Sequence, residues 1–269
     1  MKHRIQRTLC ASLALASAMA VAQELPPEWQ GVIAEPARAR AAVPATPLEY
    51  ADMRRTGDAL GPRDYGVGDF ALLSAARRGE WSKVTRLLEA GAQANVRDVW
   101  GDSVLTHAAA AGQTEVVRAL LKAGAHPDRK GSSGFTPLGA AALAGHAGVA
   151  TLLLRAGADV DAKSANGHVP LIDAVMLDRS DVVAVLLRHR PDWRPVDREL
   201  GRHALSLAAS LGHVKILDQL ISAGFDPDEL DRGGFSALYW AVFRKQRLAV
   251  AHLLASGASA GAMSTDIYD

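Results

Sequence analysis

The sequence predicts an all-α solenoid of about six helix-turn-helix units with hairpin-like fingers, and three recurrences predict it. A leucine returns as Leu72, Leu105, Leu138, Leu171, Leu205 and Leu238, at steps of 33, 33, 33, 34 and 33 residues. A glycine precedes five of them as Gly101, Gly134, Gly167, Gly201 and Gly234. An apolar pair closes each unit: Leu87-Leu88, Leu120-Leu121, Leu153-Leu154, Leu186-Leu187, Leu220-Ile221 and Leu253-Leu254. Two short helices cannot bury their apolar faces alone, so a unit of this size repeats until neighbours cover one another.

The stretch from Gly134 to Lys163 shows the elements most plainly. Thr136 before Pro137 starts a helix, because its hydroxyl accepts from an orphan N–H and the fixed φ of proline suits the first helical position. Ala140, Ala141 and Ala142 keep that helix thin, and Gly145 ends it. A second helix follows with Val149, Ala150, Leu153 and Leu154 on one face, and Gly157 stops it. The predicted repeats are residues 66–98, 99–131, 132–164, 165–198, 199–231 and 232–262.

The units depart from one another in informative ways. The first lacks a Thr-Pro start, and its Arg77, Arg78, Lys83 and Arg86 suit an end cap facing water. Ser103-Val104-Leu105 keeps a hydroxyl cap without the proline, whereas Val169-Pro170-Leu171 keeps the proline without the cap. Asp178-Arg179 stands where the third and fifth units have Gly-His. Arg190-Pro191 replaces Gly-Ala, and with one extra residue before Gly201 the finger that carries Trp193 is longer and aimed differently.

Thr136-Pro137-Leu138, Gly145-His146 and Gly157-Ala158-Asp159-Val160-Asp161 together resemble the ankyrin repeat, over roughly residues 66 to 262. The tetratricopeptide repeat has a neighbouring period, but it lacks the turn-and-finger stretch and expects another tryptophan, glycine and tyrosine pattern. The resemblance implies a non-enzymatic protein-binding module whose first helices and finger tips line a concave surface.

The two ends lie outside the array. Lys2, Arg4 and Arg7, an apolar run from Leu9 to Met19, and Ala20-Val21-Ala22 resemble a bacterial secretory signal peptide over residues 1–22. An N-terminal anchor is the alternative, but the run is shorter than the roughly 20 apolar residues a span needs. Cys10 sits near the start of that run, which disfavours lipidation. Residues 23–65, rich in alanine and proline, read as a flexible tether, and 263–269 as a C-terminal tail. The expected location is the periplasm, with secretion beyond it an alternative.

Of 30 basic and 29 acidic residues, the first 22 hold three basic ones and no acidic one, which leaves 27 against 29. So even a balance gives no nucleic-acid footprint. Cys10 is the only cysteine, so the chain beyond residue 22 has no disulfide, thiol nucleophile or thiolate ligand.

Carried onto this sequence, the concave slots include His107, Leu143, Asp173, Met176, Leu177, Leu207, Leu211, Trp240, Phe243 and Arg244, and the finger tips add Trp100 and Trp193. These are the expected protein-binding residues, since aromatic anchors are what interfaces use. Packing between neighbouring helices is the competing reading for each leucine and methionine, and folding back onto its own hairpin is that for Trp100.

His146 and His213 follow glycine in the inter-helix turn and read as structural. The other histidines lack clustered ligand spacing, so no metal or other cofactor is implied. Ser210, His107 and Asp173 could be imagined as a triad, but no strained nucleophile turn frames them. No glycine loop cradles phosphate, and no enzyme is expected. The expectation is a monomer that binds a protein, with no nucleic acid and no membrane span once residues 1–22 are removed. Its role would be accessory or scaffold to another envelope protein. The alternatives are an inhibitor conferring immunity against a toxin enzyme, and a secreted host-directed effector.

Overall fold

The computed structural model describes residues 67–98, 101–131, 134–164, 167–189, 191 and 202–261. Within them lie twelve helices and no strand, with an isolated antiparallel bridge between Arg97 and Ser103. The predicted signal peptide, the tether, the tail, Trp100, Trp193 and most of the 190–201 finger lie outside the described residues. The chain divides into two compact units, one ending at Ser133 and the other beginning at Gly134.

In the first unit α1 (Val67–Arg77) and α2 (Trp81–Glu89) form one hairpin, and α3 (Val104–Ala110) and α4 (Thr114–Lys122) the next. First helix packs on first helix and second on second, α1 on α3 and α2 on α4. The periodic Leu72, Leu105 and Leu120 are fully buried. Side chains tie the loops between successive hairpins. Asp69 accepts from the Gln93 N–H at 2.8 Å. Asn95 donates to the Gly124 carbonyl at 2.8 Å and accepts from the His126 N–H at 2.9 Å.

The second unit holds α5 (Pro137–Ala144), α6 (Ala147–Arg155), α7 (Pro170–Met176), α8 (Ser180–Arg188), α9 (Ala204–Leu211), α10 (Val214–Ser222), α11 (Ala237–Phe243) and α12 (Arg247–Ala255). α5, α7, α9 and α11 pack in series, as do α6, α8, α10 and α12. The first helices begin as their sequences require. Thr136 Oγ1 accepts from the Gly139 N–H at 3.2 Å, and Ser236 Oγ from the Tyr239 N–H at 3.2 Å. Val169 supplies no such bond to α7. At α9 the cap is a histidine, whose Nδ1 accepts from the Ser206 N–H at 3.3 Å.

The turn between paired helices survives where its sequence departs. Gly145 and Gly212 take φ of 84° and 77°, and Asp178 and Lys245 occupy the same place with φ of 52° and 57°. The next residue then bonds the preceding hairpin. Arg179 Nε donates to the Leu143 carbonyl at 3.1 Å, and Gln246 Nε2 to the Ser210 carbonyl at 3.3 Å. His213 fills this slot in the intervening repeat with Nδ1 3.7 Å from Asp178 Oδ1, and burial pushes its imidazole pKa below the ordinary value. A guanidinium and an amide, two chemically unlike donors, therefore serve one periodic latch.

A Cβ at Gly145 would stand 2.8 Å from Arg179 Cδ, besides forcing an L side chain into the left-handed region. Gly145→Ala is expected to destabilise the second unit by about 1–2 kcal/mol, measured by urea unfolding.

Candidate functional site

The second unit ends in a network built on its last finger. Asp231 Oδ1 accepts from the N–H groups of Gly233 (2.9 Å) and Phe235 (3.0 Å), which shapes the finger. The other oxygen, Oδ2, accepts from the Trp240 indole N–H nine residues on. Arg202 lies with its guanidinium carbon 5.2 Å from the Trp240 ring centroid, and its Nη1 donates to Ser210 Oγ at 3.0 Å. Ser210 Oγ in turn donates to the Leu207 carbonyl at 2.8 Å. Arg202 is wholly buried, so one cation and one carboxylate fix opposite aspects of the same indole.

The first unit repeats the finger device with different chemistry. Asp98 Oδ1 accepts from the Asp102 N–H at 2.9 Å, and Oδ2 lies 3.0 Å from His107 Nε2. Asp98, Asp102 and His107 place one ligand atom each within 4.8 Å of one another, a donor set of two carboxylates and an imidazole. Both Asp98 oxygens are already engaged, so the geometry describes a latch from finger to α3 as the Asp231–Trp240 pair is a latch to α11.

A third polar pair is sealed inside the second unit. His168 Nδ1 lies 3.4 Å from Asp173 Oδ1, with side chains 4 % and 2 % exposed. Burial raises the Asp173 pKa above the ordinary 3.8, and the His168 hydrogen bond and charge oppose that rise. A carboxyl raised on folding binds its proton more tightly when folded. Its contribution to stability is therefore full below 3.8 and is lost as pH climbs through the raised value. Asp173→Asn is expected to flatten that part of the profile, the variant gaining on the parent as pH rises, which urea melts between about pH 4 and 7 would record.

These contacts correct four of the expected surface positions. Asp173 (2 %), Met176 (4 %), Leu207 (0 %) and Trp240 (9 %) are buried and face neighbouring helices. Packing claims Met176 and Leu207, the buried contact with His168 claims Asp173, and the need of a buried indole N–H for an acceptor claims Trp240. His107 is half-buried on Asp98. Trp100 and Trp193 lie outside the described residues.

The remaining positions keep an accessible surface in the second unit. Leu177 and Leu211 stand half-exposed at the C-terminal ends of α7 and α9, and Arg244 holds the same place after α11, while Leu143, half-exposed near the end of α5, stands one residue earlier in the repeat, in the slot of Met176, Ser210 and Phe243. Phe243 is 61 % exposed. The sequence reasoning passed over Val242 (58 %), Leu248 (77 %) and Leu254 (48 %), also exposed in the last repeat. The signal was available, because Leu248 stands where earlier repeats of the unit carry Gly148, Asp181 and Lys215.

Ser210, His107 and Asp173 form no triad, since each is engaged with another partner: Arg202, Asp98 and His168. No helix among the described residues is long and apolar enough to cross a membrane.

A family model of ankyrin repeats in three copies matches residues 72–164, 128–197 and 171–264. The chain belongs to the ankyrin-repeat family. No curated protein matches it. Ankyrin repeats are protein–protein interaction modules and not, as a family, enzymes, and the ankyrin array here presents apolar side chains at the ends of its first helices.

Proposed function

We propose that this ankyrin-repeat protein is an exported accessory or scaffold of the bacterial cell envelope, and that it holds a protein partner on the leucine row of Leu177 and Leu211, flanked by Leu143 one residue out of register. The row carries the reading. Three leucines at the ends of three successive first helices are half-exposed in one unit, at sites where water would favour polar residues. Arg244 adds a charged end to the row, as interfaces with an apolar centre and polar rim commonly have.

Export is supported by the sequence of residues 1–22, whose basic start, alanine-rich apolar run and Ala20-Val21-Ala22 fit a cleaved leader. N-terminal sequencing of the protein from fractionated cells tests it, with a start at Gln23 in the periplasmic fraction expected. A protein that retains Met1 or stays in the cytoplasm would refute export.

Binding is tested by chemical cross-linking and capture of the full chain from its own cells, beside a Leu177→Ser, Leu211→Ser variant whose circular dichroism and melting confirm the fold. A specific partner is expected on the native chain and lost from the variant. Equal capture by both would remove the leucine row from the account. A toxin enzyme as the partner would favour the inhibitor role over the accessory one.

A further inference from the structure

Among the described residues, the outer face of the last repeat is apolar. Val242 is 58 % exposed, whereas its counterparts Ala142, Val175 and Ala209 are each 0 % exposed. Val250 is half-exposed, and its counterparts Ala150, Val183 and Leu217 are wholly buried. Phe243 is open where Met176 and Ser210 are buried and Leu143 is half-buried, and Tyr239 is half-buried where Ile172 and Ser206 are wholly covered. These positions are those that a following helix pair covers in the earlier repeats, since α11 packs on α9 and α12, and α12 on α10 and α11. Terminal repeats that face water need a polar outer side. This one carries aromatic and aliphatic side chains instead.

The face is ordered in advance. Phe235 and Tyr239 stack with centroids 4.3 Å apart and planes 18° from parallel, and Tyr239 and Phe243 at 6.0 Å and 10°. Trp240 meets all three edge-on, at 5.8, 5.7 and 5.8 Å. Rings that already hold one another lose little conformational freedom when they are covered.

Charge is arranged by pole. The turn between α11 and α12 carries Arg244, Lys245 and Arg247. The finger at the opposite end carries Asp226, Asp228 and Glu229 against Arg232, Asp231 being buried beneath the Trp240 indole. That finger belongs to the same end of the unit as the chain leaving α12, because Ser259 donates its N–H and Oγ to Asp228 at 2.7 and 2.6 Å. The two poles are separated by a nine-residue helix, about 13 Å.

We propose that this face pairs with the same face of a second copy of the chain, about a two-fold axis and with the helices antiparallel. Two-fold pairing requires a self-complementary patch. Antiparallel docking supplies one, since it sets the basic turn of each copy against the acidic finger of the other and covers both aromatic stripes. Parallel docking would oppose like charges. The pairing meets the leucine row of the function proposed above only at Arg244, and Val242→Lys leaves Leu143, Leu177 and Leu211 unchanged.

Sedimentation equilibrium of the full chain across a range of concentrations tests it. The expected result is reversible association to twice the monomer mass. Val242→Lys, at an already open position, is expected to give a monomer with an unchanged circular dichroism spectrum. Arg247→Glu is expected to raise the dissociation constant about tenfold, and adding Glu229→Lys to restore it. A wild type that stays monomeric overturns the proposal, as does a dimer indifferent to Val242→Lys. Association that appears only when Met263, Ile267 and Tyr268 are changed to serine overturns it too, because the chain's own tail would then occupy the face.

Discussion

Arg202→Ala is expected to destabilise the second unit by about 3–4 kcal/mol, within the range seen when a large buried side chain is truncated. Arg202 is 0 % exposed, its stem fills the space between α9 and the Trp240 ring, and Nη1 bonds Ser210. Truncation removes the packing, the cation over the indole and a donor to Ser210 together. Arg202→Met separates these contributions. It keeps most of the volume and loses the hydrogen bond and the ring contact, worth about 1–2 kcal/mol, while relieving the unfavourable burial of a charge. The methionine variant is therefore expected within about 1 kcal/mol of the parent in urea melts. If both variants lost equal stability, the charge itself, and not the filled volume, would hold the last two repeats together.

Leu205→Ala is expected to lower stability by about 3 kcal/mol, and Leu248→Ala by under about 0.5 kcal/mol. Both are leucines of the second unit, but Leu205 is 0 % exposed and Leu248 is 77 % exposed. Leu205 sits on α9, which touches α7, α10 and α11, so its loss weakens contacts with repeats on both sides. In a stack held by nearest-neighbour interfaces, such a change lowers the cooperativity of unfolding as well as the midpoint. Hydrogen exchange should then show α11 and α12 opening before α5 and α6 in the Leu205→Ala chain. Uniform loss of protection would mean that the unit unfolds as one block.

The period was legible because every unit must meet its neighbours in the same way. Leu72, Leu105, Leu138, Leu171 and Leu205 recur, and each is at most 1 % exposed. Turn geometry was legible only in part. Asp178-Arg179 looks like a break in the repeat, yet Asp178 accepts the left-handed conformation and Arg179 reaches a carbonyl of the preceding hairpin as Gln246 does in its own repeat. Residue identity changed while backbone and donor position were kept.

The site was harder to read than the fold, because a repeat pattern marks which slots face outward without saying which side chains find partners. Trp240 reads as an anchor until Asp231 is set beside it. The spacing that reveals the latch was present in the sequence, since Asp98 precedes His107 by nine residues and Asp231 precedes Trp240 by nine. A carboxylate at that place in the finger predicts a bonded donor on the helix and not a free one. The apolar outer face of the last repeat was legible as well, in Val242, Leu248 and Val250.

The most direct test of the binding account is a hydrogen-exchange comparison of the full chain alone and cross-linked to its captured partner. Protection concentrated at the ends of α5, α7 and α9, around Leu143, Leu177 and Leu211, is the result the account predicts. Protection confined to the second helices α6, α8 and α10, with the leucine row exchanging as freely as before, would contradict it.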